Sequence, residues 1–162
     1  MKISAQEEYG LRCLVQLANL PDGEGLTLPH IAELEGISTA NAGKLMWLLN
    51  RAGFVQSTRG TKGGYMLARP ASDIRLSEII RVLDEDIVDK HCDSYTGLLD
   101  SCVHNGDCGI RPVIVGLHEI VANALSQITL AHLVGSERSV DEMFHQIQGI
   151  HRTIEPAGIG TT

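Results

Sequence analysis

Residues 27–67, TLPHIAELEGISTANAGKLMWLLNRAGFVQSTRGTKGGYML, decide the fold. Within them, Thr27 precedes an apolar repeat of helical spacing, and Gly36 is placed to end that helix. Ser38 then precedes a second helical repeat, which continues to about Ala52. Two helices joined by so short a turn are typical of a helix-turn-helix unit. The pattern therefore predicts a helix-turn-helix.

A hairpin follows the second helix. Phe54–Ser57 alternates as a strand, Tyr65–Leu67 is typical of the return strand, and residues 58–64, TRGTKGG, form a basic glycine-rich tip. A nucleotide-binding phosphate loop would require a helix directly after the glycines, but here a strand-like run and Arg69-Pro70 follow. The segment therefore predicts a β-hairpin wing. The expected fold class is mainly α with a small β-hairpin wing, a winged helix-turn-helix.

Helices on either side complete the predicted unit. Ser4 and Glu7 have the spacing of a capping box, and the apolar repeat behind them continues to near Leu20. Cys13 lies within that repeat, so we interpret it as a small core residue. A further helix, with Ser77 or its neighbour as the cap, can pack on the winged unit. Residues 1–83 are thus predicted to form one winged helix-turn-helix domain.

Charge is distributed unevenly along the chain. The net charge is −7, yet residues 38–69 contain five basic residues and no Asp or Glu, whereas residues 71–162 contain six basic and fourteen acidic residues. Local potential decides where a polyanion binds, so residues 1–83 are predicted to bind DNA. The predicted DNA-contacting residues are Ser38, Thr39, Asn41 and Lys44 in the recognition helix and Arg59, Gly60, Thr61 and Lys62 in the wing. Two of these residues, Ser38 and Thr39, have a second interpretation in which they only cap the helix.

Three of the four cysteines fall in residues 84–109, which we predict to be a cofactor-binding loop. Cys92, Cys102 and Cys108 are separated by nine and five residues. No helical period brings thiols at these spacings to one face, and a strand would hold them too far apart along its length to share a ligand. Metal–thiolate bonds are strong enough to offset the entropy of closing such a loop. An odd number of cysteines in this segment disfavours a structural disulfide, and close Cys-x-x-Cys pairs, typical of zinc sites, are absent from the sequence. The segment therefore predicts a metal or iron–sulfur site.

The remainder of the chain is predicted to be largely helical and to mediate dimerisation. Pro112 suits the first turn of a helix. Apolar side chains then recur at spacings of four and three, and one small domain is not expected to cover so long a stripe. We therefore predict a dimerisation helix region over residues 110–134 and a C-terminal extension, with one more helix, over residues 135–162. The stripe consists of Ile110, Ile114, Leu117, Val121, Ala124 and Ile128.

Several classes of protein are disfavoured. No apolar run approaches the roughly 18 residues needed to span a membrane, and the start MKISAQEEYG is too polar for a signal peptide. We therefore expect a soluble cytoplasmic protein with no membrane partner. No pairing of nucleophile and base is evident in the sequence, so we do not expect an enzyme.

Together, these motifs resemble the Rrf2 family of bacterial transcription regulators over residues 1 to about 135. The resemblance rests on the MKIS start, on Arg59–Tyr65 (RGTKGGY), on Ile74–Ile80 (IRLSEII), on three cysteines before a long helix, and on Ile128–Val134 (ITLAHLV). It implies a homodimer whose long helices cross and whose two winged helices bind a palindromic operator. It also implies that the three cysteines hold an iron–sulfur cluster, which sets DNA affinity in response to redox state, nitric oxide or iron and cluster status.

The resemblance leaves the fourth cluster ligand open. The best-known cluster-biogenesis regulators have a shorter first cysteine gap and a histidine three residues after the third cysteine. Here that position is Arg111, which cannot bind metal in its charged form. Other members use an acidic residue from the first helix of the partner subunit, and Glu8 occupies the matching position, while His91 and His104 are rival donors. Three thiolates and a carboxylate slightly favour a 4Fe–4S cluster over a 2Fe–2S cluster.

Two other functions fit parts of the sequence. The same loop could serve a cluster-independent dimeric repressor that responds to thiol oxidation or to a small metabolite. Alternatively, the chain could be a metal-carrying scaffold without a role at DNA. The acid-free basic segment, residues 38–69, argues against the scaffold.

Overall fold

The structure, a computed structural model, describes residues 3–58, 63–83, 98–99, 101–104 and 106–148. These ranges are mostly helical and contain a two-stranded antiparallel hairpin, which confirms the predicted fold class. In chain order the elements are α1 (Ala5–Ala18), α2 (Leu28–Glu35), α3 (Thr39–Arg51), β1 (Val55–Ser57), β2 (Tyr65–Leu67), a 3-10 turn (Ala71–Asp73), α4 (Leu76–Leu83), α5 (Arg111–Ser126), a second 3-10 turn (Leu130–Leu133) and α6 (Glu137–Gln148).

The hydrophobic core lies among α1, α3 and α4, and the segment after α5 closes it. Apolar side chains at helical spacing turn inward from each helix, because burying them contributes about 1.5–3 kcal/mol each. The segment after α5 adds two side chains that are almost fully shielded from solvent, Ile128 and Leu130. The largest buried side chains of the helices are Leu14, Ile31, Leu45, Met46, Leu49, Ile79 and Leu83.

Cys13 is a core residue, as predicted. Its side chain on α1 is fully buried. Burial, together with the nearby negative charge of Glu35, raises the pKa of the Cys13 thiol to about 11. Because the thiolate is the reactive form of cysteine, an inaccessible protonated thiol is chemically inert. Cys13 is therefore separate in character from the cysteines of residues 84–109.

Side-chain caps begin two of the helices as the sequence predicts. Ser4 Oγ accepts a hydrogen bond from the Glu7 N–H at 3.2 Å, and the Glu7 carboxylate accepts one from the Ser4 N–H at 2.6 Å. This confirms the capping box of α1. Ser38 Oγ likewise accepts from the Asn41 N–H at 3.2 Å and caps α3. Each bond satisfies a backbone donor that the first turn of a helix leaves without an intrahelical partner.

The start of α2 lacks a side-chain cap, and the predicted cap of α4 is wrong. Thr27 occupies the N-cap position of α2, but its side chain makes no capping hydrogen bond. Pro29, in the first turn, has no N–H to donate to it. Helix α4 begins at Leu76, so Ser77 lies inside the helix rather than before it. The Leu76 N–H donates instead to the carbonyl of Ile128 at 2.8 Å, a partner too distant in sequence to be predicted.

Two glycines shape the winged helix-turn-helix. Gly36 ends α2 with φ of 63°, a left-handed conformation that glycine adopts without steric cost, and the chain then turns directly into α3. In the wing, β1 and β2 pair with Ser57 opposite Tyr65 and Val55 opposite Leu67. A Cβ at Gly64 would collide with the Leu26 carbonyl. Only glycine therefore lets the hairpin lie this close to the chain that precedes α2.

The end of α5 is fixed to the winged unit. Arg75 and Thr129 form an antiparallel bridge, in which the Leu76 N–H donates to Ile128 O and the Leu130 N–H donates to Ile74 O, each at 2.8 Å. Since Ile128 and Leu130 are also buried in the core, backbone and side chains hold this junction together. The predicted stripe of α5 thus ends inside the core at Ile128.

Two further features complete the fold. Leu34 on α2, which the sequence pattern turns inward, is 47% exposed because α2 is covered on one side only.

Helix α6 forms within the predicted C-terminal extension, and its Ile147 packs against the core. Within the described ranges, every helix is too short or too polar to cross a bilayer.

Candidate nucleic-acid interface and cysteine segment

Helix α3 presents the predicted DNA-contacting residues on its exposed side. Ser38, Thr39, Asn41 and Lys44 are all exposed. The opposite face buries Ala42, Leu45, Met46 and Leu49 in the core, which fixes the orientation of the helix. Ser38 does cap α3, so the capping interpretation holds for its side-chain oxygen. The amide of Asn41 and the ammonium of Lys44 make no bond to any other residue that the structure describes. The amide can therefore donate and accept outward, and the ammonium can donate.

The described basic residues of segment 38–69 divide into two groups. Arg69 forms an ion pair with Glu78, donates to the Asp73 carbonyl at 2.8 Å and stacks on Phe54, so it joins the wing to α4. Its charge is therefore balanced inside the chain. Lys44 and Arg51 lie on α3, a helix with no Asp or Glu in its sequence. These two cations keep the outer side of α3 positive.

The wing tip itself lies outside the described residues. Arg59, Gly60, Thr61 and Lys62 are therefore not placed by the structure. The base that carries them is closed, because the Thr58 N–H donates to Gly64 O at 2.9 Å and the Gly64 N–H donates to Thr58 Oγ1 at 3.1 Å. The predicted hairpin is thus present up to the residues that would contact DNA.

The cysteine segment is described in part. Cys102 and Cys108 are free thiols, partly buried, and His104 between them is exposed. Cys92 and His91 lie outside the described residues. Within the described residues, no three His, Cys, Asp or Glu side chains are grouped closely enough to hold a metal ion. Cys108 lies where α5 begins, and its carbonyl accepts a hydrogen bond from the Arg111 N–H at 3.2 Å.

The two adjacent glutamates of α1 have different environments. Glu7 is 7% exposed and its carboxylate is occupied in the capping box. Glu8 is exposed and forms an ion pair with Arg12 at 2.7 Å, one turn further along the helix. An exposed pair of this kind contributes at most about 1 kcal/mol, so Glu8 can exchange partners at little cost. Of the two, Glu8 is the carboxylate available to an external ligand.

The exposed face of α5 is apolar, although its members differ from the predicted stripe. Ile110, Val113, Leu117 and Ile120 are 57–68% exposed and recur at spacings of three and four. Ile114, Val121 and Ala124 are partly buried against the chain itself. The predicted stripe therefore divides between an inner and an outer side, because the end of α5 packs on α4. We call Ile110, Val113, Leu117 and Ile120 the α5 apolar stripe.

One pair on α3 was not identified as a contact from the sequence. Trp47 is 55% exposed, and the guanidinium carbon of Arg51 lies 5.5 Å from the centroid of its ring. The available signal was the spacing of four residues between a large aromatic and a cation on a helix. It was obscured because Trp47 falls within a run of apolar residues, Leu45–Leu49, most of which face the core.

Comparison with known proteins identifies the class of protein. The model of the Rrf2 family, described as iron-dependent transcriptional regulators, matches residues 3–136. The chain therefore belongs to the Rrf2 family and is a winged-helix, DNA-binding transcription regulator. Its relatives in this family are transcription regulators rather than enzymes.

Solved structures of three relatives are similar over most of their length. IscR of T. potens is 30% identical, with a TM-score of 0.63 over 81% of this chain and 84% of that one. The oxidised form of Staphylococcus aureus CymR is 29% identical, with a TM-score of 0.64 over 84% of this chain and 98% of that one. CymR of B. subtilis, described as the global cysteine regulator, is 28% identical, with a TM-score of 0.63 over 83% of this chain and 99% of that one.

Proposed function

We propose that the chain is a homodimeric regulator that binds palindromic operator DNA through two winged helices and adjusts its affinity through an iron–sulfur cluster. The observation that carries this proposal is the position of Cys108. Its carbonyl is bonded to the first turn of α5, and the other end of α5 is bonded to the start of α4 in the winged unit. A ligand held at the cysteines is therefore linked by continuous structure to the DNA-binding helices.

The α3 face and the wing are the proposed DNA contacts. Asn41 can pair with adenine and Lys44 with guanine or a phosphate, since both side chains extend from the exposed start of the helix. Thr39 and the Ser38 backbone would contact phosphates. The wing would reach the minor groove or the backbone with Arg59 and Lys62. Gly60 would permit its close approach, and Thr61 is a further proposed contact.

The α5 apolar stripe supports a dimer. Four large side chains, more than half exposed, stand on one side of a single helix. A contiguous apolar patch of this kind is typical of a protein interface. The two-fold symmetry of a homodimer would present two α3 helices to DNA, and a palindromic operator has the matching symmetry.

The donor set fits an iron–sulfur cluster. Thiolates are the usual protein ligands of such clusters, and both Cys102 and Cys108 are free thiols to which solvent has partial access. Cys92 is the third proposed thiolate, and Glu8 of the partner subunit is the proposed fourth ligand. His91 and His104 are the rival donors. A bound cluster supplies chemistry sensitive to redox state and to nitric oxide, and this ligand set slightly favours 4Fe–4S over 2Fe–2S.

The described contacts support a mechanical coupling. Residues 84–109 connect the end of α4 to the start of α5. The end of α4 is held to α1, because Gln6 donates to the Leu83 carbonyl at 2.8 Å and Gly10 leaves room for the Leu83 side chain. When the cysteines bind their ligand, the loop is drawn together and the angle between α4 and α5 is biased. That angle sets the spacing of the two α3 helices in the dimer.

Iron and acid-labile sulfide, measured on anaerobically purified protein together with the absorbance spectrum, test the cluster. We expect equal amounts of both, about two or four of each per protomer, with thiolate-to-iron absorption bands. Cys102→Ala should remove them. Cys13→Ala is the matched control, because it deletes a thiol that is buried in the core, and it should retain iron and sulfide. Protein that contains no iron after reconstitution would overturn the proposed cluster.

A cluster-independent repressor is the second candidate. Cys102 and Cys108 are free thiols near each other in the sequence, and one similar structure is an oxidised form of S. aureus CymR. Oxidation of these thiols would then change DNA affinity without metal. Intact mass before and after mild peroxide, with DNA binding measured on the same samples, tests this alternative. This alternative would be supported if oxidation alters DNA binding in iron-free protein and if Cys108→Ala abolishes that change in binding.

A further inference from the structure

We propose that Trp47 and Arg51 form a second DNA contact, in which Arg51 binds a phosphate at the edge of the groove and Trp47 packs on the adjoining sugar. This inference rests on the proposed use of α3 as the recognition helix. It adds two residues to the contacts expected at the start of that helix. Four observations carry it: the position of the pair, its geometry, the absence of a described acidic partner, and its distance from Asn41.

The pair lies on the same face as Lys44. Lys44, Trp47 and Arg51 follow one another at spacings of three and four, which places them in a row along a helix. The row is opposite the buried face of α3, formed by Ala42, Leu45, Met46 and Leu49. A tryptophan on this polar row leaves more than half of its surface in water. Covering that surface with an apolar partner would be favourable.

Trp47 also orients Arg51. The guanidinium carbon lies 5.5 Å from the centroid of the indole ring, within the range of a cation–π contact. Such stacking limits the conformations of a long flexible side chain. Less conformational entropy is then lost when the guanidinium binds a phosphate through paired N–H donors.

Arg51 differs from three other arginines of the structure. Arg12, Arg69 and Arg138 each form an ion pair with a carboxylate of the chain. Arg51 pairs with no carboxylate in the described part of the chain, and α3 itself has no acidic residue. Its stacking on Trp47 leaves the charge uncompensated. A polyanion is the partner whose charge complements this row.

The length of α3 places Arg51 at the DNA backbone. Asn41 and Arg51 are ten residues apart, which corresponds to about 15 Å along a helix at 1.5 Å per residue. The major groove is about 12 Å wide. If α3 enters the groove at an angle with its N-terminal residues, Asn41 and Lys44, at the bases, then Arg51 lies beyond the groove and reaches the flanking phosphates. This geometry favours a backbone contact over base readout, so the pair would add affinity rather than sequence preference.

The test uses the full chain and duplexes that the wild-type protein selects from a random pool. Dissociation constants are measured by anisotropy across a salt series, for wild type, Arg51→Gln, Trp47→Ala and Trp47→Phe. We expect Arg51→Gln to weaken binding about tenfold on every duplex and to reduce the salt slope by about 0.9. Trp47→Ala should weaken binding by a similar factor, and Trp47→Phe, which retains an aromatic ring, should weaken it less.

A second readout requires no variant. Trp47 is the single tryptophan of the chain, so its emission reports on this position alone. We expect DNA to shift and quench this emission in the wild-type protein. Unchanged emission on binding, with unchanged affinity and salt slope in Arg51→Gln, would overturn the inference and leave the proposed function intact. Wild-type protein that selects no duplex would overturn both the inference and the proposed function. If it captured a protein partner instead, the row of Lys44, Trp47 and Arg51 would belong to a protein interface, which would also overturn the DNA contact.

Discussion

Helices α3 and α5 are both amphipathic, and they use their apolar faces in opposite ways. Helix α3 buries its apolar face in the core of its own chain and exposes polar and basic side chains. No residue of α5 is fully buried, and the α5 apolar stripe faces outward. The apolar face of the first helix is covered within the chain, whereas the α5 apolar stripe stays exposed in the part of the chain that the structure describes.

This difference in packing suits α3 and α5 to different roles. A helix whose packing is internal keeps its orientation whether or not a ligand is bound, and therefore presents a constant surface to DNA. Among the described residues, α5 joins the hydrophobic core only at its end, through Leu125 and the Arg75–Thr129 bridge. A helix held in this way can change its angle when its other end is altered. Cys108 lies at that other end. The proposed recognition surface and the proposed regulatory segment are thus distinguished by packing.

The largest effect is expected from breaking the proposed α5 interface. Leu117→Asp places a charge in the middle of the α5 apolar stripe, and an unpaired charge is costly to bury between two helices. We expect a monomer in sedimentation experiments and a loss of operator affinity of about 10²- to 10⁴-fold, since two linked half-sites bind far more tightly than one. Glu119→Gln, at an exposed polar position of the same helix, is the control. A Leu117→Asp dimer of unchanged affinity would contradict an interface at this stripe.

The cysteines offer the next largest contrast between the two regions. Cys13 is fully buried in the winged unit, whereas Cys102 and Cys108 are only partly buried. In metal-free protein at pH 8, iodoacetamide should modify Cys102 and Cys108 readily. It should modify Cys13 at least about a hundredfold more slowly, because Cys13 reacts only when the core opens. Mass spectrometry of peptides after timed quenching measures this. Equal rates for the three thiols would show that the core is not closed around Cys13.

The same thiol gives the winged unit a pH dependence. The pKa of Cys13 in the folded protein, about 11, lies above its ordinary value of 9.0. The unfolded chain therefore releases this proton first, and the free energy of unfolding should fall as pH rises from about 9 to about 11. Urea titrations at a series of pH values measure the decline, and Cys13→Ala should remove this part of it. A decline of the same size in Cys13→Ala would assign the effect to other groups.

Gly64 tests how closely the wing is fitted to the rest of the winged unit. Gly64→Ala places a Cβ against the backbone carbonyl of Leu26, which cannot rotate away. We expect the free energy of unfolding to fall by about 1–3 kcal/mol. Gly43→Ala is the matched control, because its Cβ would meet only Leu28 at an ordinary 3.5 Å, and alanine favours a helix interior by about 1 kcal/mol. Equal effects of the two variants would contradict the close approach.

Local signals made most of the fold predictable. The capping box at Ser4, the cap at Ser38 and the left-handed Gly36 all act over a few residues, so each could be predicted from sequence. The Arg69–Glu78 ion pair and the Leu76–Ile128 hydrogen bond join distant parts of the chain, and no local pattern specifies them. Candidate site residues on α3 were predicted because exposure follows from helical period. The ligand set at the cysteines stays a prediction, since it depends on convergence of a loop and on a second subunit.

The smallest expected effect compares two helix caps. Ser38→Ala removes a hydrogen bond to the Asn41 N–H and should lower the free energy of unfolding by about 1 kcal/mol. Thr27→Ala removes a side chain that makes no capping bond, so its effect should stay within about 0.5 kcal/mol. If Ser38 serves only as a cap, its substitution weakens DNA binding no more than the lost stability of α3 explains. If its hydroxyl also contacts DNA, Ser38→Gly, which is nearly as good a cap as serine, should still weaken binding. Urea unfolding and operator titration of the same three variants separate the two roles, because capping changes stability and a DNA contact changes affinity alone.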